Sequence, residues 1–124
     1  MGKKDVRADF RNAVFSRDHY SCVVCGKKWS PADAAPALGR MNAHHITDRS
    51  LMPGGGYVKE NGVTVCDGEN SCHMKCEQFH ISGGQLWEEG LHPEDLYRKI
   101  GSSRDLAEQA SQKLLKRAGN GAAA

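Results

Sequence analysis

Apolar and polar positions follow two rhythms along this chain, one helical and one alternating, and these divide it into elements. In DVRADFRNAVFSRD, Val6, Phe10 and Val14 recur at the spacing of a helix face, which predicts a short amphipathic helix ending near Arg17 and Asp18. YSCVVCGKKW follows, with a β-prone pair of valines enclosed by cysteines and Gly26 placed for a tight turn. SPADAAPALG is broken by Pro31, Pro36 and Gly39 and reads as a loop. RMNAHHIT and GVTVC read as two strands that could pair antiparallel. Between them, DRSLMPGGGYVKEN carries Pro53 and a triple glycine, which predicts a long flexible loop with little packing of its own.

The chain then turns helical. SCHMKCEQFHI predicts a helix with Ser71 as N-cap and Gly83 and Gly84 beyond its end. HPEDLYRKIG has Pro93 at an allowed helix start and acids in the first turn. SSRDLAEQASQKLLKRAG predicts a last helix with Leu106, Ala110, Leu114 and Leu115 on one side and a stop at Gly119. The closing NGAAA, residues 120–124, is expected to be disordered. The sum is an α+β chain.

Composition adds a need for a staple. A chain of 124 residues with 14 glycines is expected to form one domain with a modest core, so apolar burial alone leaves a thin margin of stability. The candidates are Cys22, Cys25, Cys66, Cys72 and Cys76, whose odd number argues against a closed disulfide framework. MGKKDVRADF lacks the apolar segment of a signal peptide, and no run is long enough to cross a bilayer. The expectation is a cytoplasmic chain with no membrane partner, in a compartment where paired cysteines hold metal more often than they form disulfides. The net charge of +2 says little. Its distribution says more: Lys3, Lys4, Arg7, Arg11, Arg17, Lys27, Lys28, Arg40 and Arg49 crowd the first half, which fits a polyanion such as nucleic acid.

CVVCG lets two thiolates reach one ion from a tight turn, and Cys66 and Cys72 supply a second pair at a strand end and a helix start. Four thiolates close a tetrahedral structural zinc site, whose binding energy is then partly folding energy. Cys76, one helical turn after Cys72, reads as a small buried side chain and is also the rival of Cys72 for the fourth position.

Joined in order, CVVC, NAHHI, ENGVTVC and CHMKCE, preceded by FRNAVFSRD, resemble the HNH endonuclease family over residues 10–80. The resemblance implies a ββα-metal, treble-clef-like hairpin and helix around one catalytic ion. It implies a nuclease domain over residues 1–82 with its N-terminal helix, leaving residues 83–119 as a C-terminal helical extension. By the same resemblance His45 is the general base, His44 and His73 hold the catalytic divalent ion (Mg2+, Mn2+, Ni2+ or Zn2+), and Asn61 fixes loop and base geometry. On spacing alone, Asn61 before Gly62 is a turn pair. The implied activity is hydrolysis of DNA phosphodiesters with low sequence specificity, leaving 5′-phosphate and 3′-hydroxyl ends. Implied settings are a bacterial or phage-infected host, with phage packaging or restriction partners.

The chemistry of the residues agrees. Histidine titrates near neutrality, so His45 can take a proton from water. Two neutral ligands leave positions open for phosphate and water. Cys72 and His73 are about 100° apart on a helix, so one can face the thiolates and the other the hairpin. Glu77, one turn after His73, is placed either to accept its second ring N–H or to sit in solvent. His44 and His45 can serve one site only if the strand bends or bulges there, or if both lie at its end. Arg49 and Lys75 are the candidates for phosphate contacts. His19, His80 and His92 read as surface or packing residues. Five residues separate Cys66 from Cys72, where the family commonly has two. The alternative reading is a non-catalytic zinc module that binds nucleic acid.

Overall fold

Helix α1, Lys3–Arg17, lays Phe10 and Val14 onto a two-stranded sheet and buries both, as the periodicity predicts; Phe15 is buried as well, and Val6, the third predicted position, is half-buried. The computed structural model describes residues 3–30, 41–68 and 70–123. The sheet pairs β1, Met41–His45, with β2, Gly62–Cys66, antiparallel. Its register runs unbroken from Met41 opposite Cys66 to His45 opposite Gly62. Helices α2 (Cys72–Ile81), α3 (Pro93–Lys99) and α4 (Arg104–Ala123) follow. Ser71 caps α2 by accepting from the Met74 amide, as expected. The loop expected over residues 30–39 lies, from residue 31 on, outside the described residues. No helix among the described residues is long and apolar enough to cross a membrane.

Contact between α1 and the sheet is close because Gly62 has no side chain. A Cβ there would lie 2.5 Å from Val14 Cγ2 and 2.7 Å from Phe10 Cε1. The end of α1 also secures the outer edge of β2. Arg17 donates to the carbonyls of Lys59 and Gly62, Asp18 accepts the Thr64 amide at 2.9 Å, and the Val23 amide donates to the Thr64 carbonyl at 3.0 Å. The CVVC segment is therefore a tight turn docked on β2, closed by a bridge between Ser21 and Lys28, with Gly26 at φ +83°.

The loop between the strands departs from expectation. It holds three short 3₁₀ turns, Arg49–Leu51, Pro53–Gly55 and Lys59–Asn61, and buries Ile46, Met52 and Asn61. Two features order it. The Asn61 side chain accepts from the Thr47 amide at 2.9 Å and the Tyr97 hydroxyl at 2.7 Å, and donates to the carbonyls of Thr47 and Gly56. Helix α4 covers the glycine turn. That contact also explains why the predicted face of α4 is offset. Small Ala107 and Ser111 are buried, whereas Leu106 and Leu115 remain about half exposed, at 49% and 48%, with Leu115 beside Gly54 of the glycine turn. The helix passes the expected stop at Gly119 and continues to Ala123, so the expected tail is helical that far. A glycine costs a helix only about 1 kcal/mol, and the alanines that follow favour it. Leu96 and Tyr97 of α3 and Ala107 of α4 share one core with Cys22, Val63 and Cys76.

Candidate functional site

The zinc-binding residues expected from the sequence come together. The sulfurs of Cys22, Cys25, Cys66 and Cys72 all lie within 4.8 Å of one another, and all four thiols are free. Cys25 Sγ is 3.9 Å from Cys66 Sγ. A tetrahedron with metal–sulfur bonds of ~2.3 Å has an edge of ~3.8 Å. The turn and the start of α2 aim backbone amides at the sulfurs, Cys25 N to Cys22 Sγ at 3.4 Å and Cys72 N to Cys66 Sγ at 3.3 Å. Burial raises the Cys22 thiol, but such amide contacts outweigh it and lower the pKa to about 7. Burial and the neighbouring thiols push Cys72 far up. Without a cation, four adjacent thiols cannot all ionise, so the donor set fits a divalent, thiophilic ion such as zinc. Cys76 faces the core instead, is 1% exposed, and is held at about 12 by burial.

A second cluster forms where α2 meets β1. His44, His73 and Glu77 offer ligand atoms within 4.8 Å of one another. Glu77 Oε1 is 3.3 Å from His44 Nδ1 and 3.1 Å from His73 Nε2. His44 is 1% exposed, and Glu77 is the carboxylate that its Nδ1 meets. A buried imidazole nitrogen beside a carboxylate and a second imidazole is a donor set that fits a divalent ion. His73 Nδ1 is 3.2 Å from Asp67 Oδ1, so its ring is fixed from behind by a carboxylate. Burial lowers His44. Burial also lowers His73, but Glu77 and Asp67 outweigh it and raise its pKa. The two histidines hold Glu77 well below the usual carboxylate range.

His45 faces the other way from His44. Its ring stacks on Phe10 at 4.6 Å and meets the edge of Tyr57 at 4.8 Å. Its Nε2 is buried without a hydrogen-bond partner among the described residues. Burial, followed by His44 and Arg49, lowers its pKa to about 4, so the imidazole is neutral at pH 7. His45, His73 and Glu77 nevertheless line one cavity of about 550 Å³. Regular pairing shows no bulge in β1; both histidines sit at its end, where His45 lines the cavity and buried His44 does not, meeting it through Glu77.

Asn61 does not reach this cavity and instead locks the loop beneath it. Arg49 lines it and donates to the Tyr57 hydroxyl at 3.0 Å. Lys75 is exposed on α2 and does not line it. His80, read as a surface or packing residue, stacks on His44 at 5.2 Å and bonds the His45 carbonyl at 2.8 Å, joining both histidines to α2. Asp67, Tyr57, Arg7 and Arg11 were not singled out as site residues by sequence reasoning. For Asp67 the signal was the unusual spacing itself, since Asp67 opens the segment between Cys66 and Cys72. No protein-family model, curated protein or solved structure matches the chain. The site therefore rests on geometry and chemistry.

Proposed function

We propose that the chain is a metal-dependent endonuclease of the HNH type that hydrolyses DNA phosphodiesters. The observation that carries this reading is the cavity in which a neutral, desolvated His45 stands opposite His73 and Glu77. His44, His73 and Glu77 would hold a divalent ion, which when bound supplies Lewis-acid stabilisation of phosphate charge. His45 would accept a proton from water in the cavity once its Nε2 is uncovered, and burial keeps the imidazole unprotonated at neutral pH. Phe10 and Tyr57 hold its ring on two sides. Asp67 orients His73, and the four cysteines anchor the start of the helix that carries His73 and Glu77. Zinc at the cysteines is the structural part of the proposal.

Plasmid nicking tests it. Activity is expected only with an added divalent ion. His45→Ala should lower the rate by ~10²–10⁴-fold, the usual contribution of a general base, with zinc content and melting unchanged. A protein that nicks nothing across several ions, or a His45→Ala variant at the wild-type rate, would overturn the reading.

A further inference from the structure

The cavity lining carries unlike charges. Asp67 and Glu77 line it with His73, and so do Arg7 and Arg11 of α1 together with Arg49. Among the described residues, none of these three arginines forms a salt bridge, whereas Arg17 and Arg98 each pair with an aspartate. Arg49 donates to the Tyr57 hydroxyl at 3.0 Å, and Arg7 also acts on that hydroxyl, lowering its pKa. Guanidinium groups gathered around one cavity repel each other, and an anion between them relieves that repulsion. Asp48 also lines the cavity, but its carboxylate is engaged by the amide and hydroxyl of Ser50.

We infer that Arg7, Arg11 and Arg49 form a phosphodiester-binding wall that seats a nucleic-acid backbone across the cavity, facing the histidine–carboxylate cluster. This rests on the nuclease reading and names the part of the substrate that α1 would hold. Arg7 and Arg11 are one helical turn apart, about 6 Å along the axis, a spacing that lets them meet successive phosphates of one strand. Guanidinium groups suit the role because their planar forks match phosphate oxygens in pairs. Contacts of this kind give affinity without sequence preference. Helix α1 would thus be a substrate-positioning element in addition to a cover for the sheet.

The test is a salt titration of binding to a short fluorescein-labelled DNA duplex of arbitrary sequence, followed by anisotropy without added divalent ion. Wild type, Arg7→Gln, Arg11→Gln and the double variant are compared, with Arg98→Gln as a control on a residue outside the cavity. Each cavity variant should reduce the slope of log affinity against log salt by about 1, alike for unrelated sequences, with melting unchanged. An unchanged slope in Arg11→Gln overturns the inference; that side chain takes no part in the Tyr57 contact, so it remains informative even if Arg7→Gln unfolds. Nicking is measured separately. Binding with the expected slopes but no cleavage would sink the nuclease reading and leave the wall standing. Cleavage with unaltered slopes would do the reverse.

Discussion

His44 and His45 are neighbours in β1, yet their rings pack on different helices: His44 stacks on His80 of α2 at 5.2 Å, and His45 on Phe10 of α1 at 4.6 Å. Alternation along a strand would ordinarily separate them into unrelated environments. Their position at the end of the hairpin lets one support the cluster on α2 and the other line the cavity beside it. One residue supplies a buried ligand atom and the next a desolvated base. The following expectations bear on that division of labour.

Cys72 and Cys76 should behave differently on substitution, although both are buried in α2. Cys72→Ala is expected to lose the tightly held zinc and, with it, cooperative folding, because that binding energy is part of the folding energy. Cys76→Ala should keep about one zinc per chain and lose on the order of 1 kcal/mol from imperfect packing. Metal analysis with thermal melting checks both; zinc loss in Cys76→Ala would reassign the fourth ligand.

Asp67→Asn should weaken the second metal position without abolishing it. The carboxylate fixes the orientation of His73 and favours the protonated Nδ1 that leaves Nε2 free toward Glu77. A loss of ~10–100-fold in divalent-ion affinity is expected, with zinc retained at the cysteines and nicking restored at higher ion concentration. Titration calorimetry with Mn2+ on the zinc-loaded protein gives the number.

Stability should depend on pH through His45. Its native pKa of about 4 lies below the ordinary 6.5. The unfolded chain therefore binds a proton that the native state excludes. The resulting contribution is complete above about 6.5 and is lost as pH falls through about 4. Burial shifts His44 in the same direction. In metal-matched buffers, the melting temperature should fall across that window, and His45→Gln should flatten the fall. Identical acid slopes in the two proteins would show that His45 is not held neutral by the fold.

Gly62→Ala should be among the costlier single-methyl additions in this chain. The added carbon would lie well inside contact distance of Val14 and Phe10. Because Phe10 also stacks on His45, a shift of α1 to relieve the clash should disturb the base. A loss of roughly 1–3 kcal/mol is expected, with reduced nicking in whatever fraction remains folded. Chemical denaturation and single-turnover rates separate the two effects.

The sequence reveals local features more readily than those created by folding. The strands, α2 with its Ser71 cap, and the four cysteines are legible because alternation, capping and ligand spacing are local. The order of the loop before β2 is not, because it comes from Tyr97 and α4, which lie far along the chain. The buried stripe of α4 is misread for a related reason: which of its positions are covered is set by the folded body, which buries small Ala107 and Ser111 and leaves Leu115 half exposed beside the glycine turn. Glu77 shows as one turn from His73, but its place between two imidazoles needs the hairpin folded onto the helix. Arg7 and Arg11 read only as part of a basic half until α1 is seen forming a wall of the cavity.

The outward amides and carbonyls of Gly62 and Thr64 are all engaged from within the molecule, by Lys59, Arg17, Asp18 and Val23. A short ribbon of two strands usually leaves such a margin open, where a strand from another copy can add and start a growing stack. Here an arginine–aspartate pair and a cysteine-bearing turn occupy that place, so this side of the hairpin is guarded against strand exchange between copies and against fibril growth.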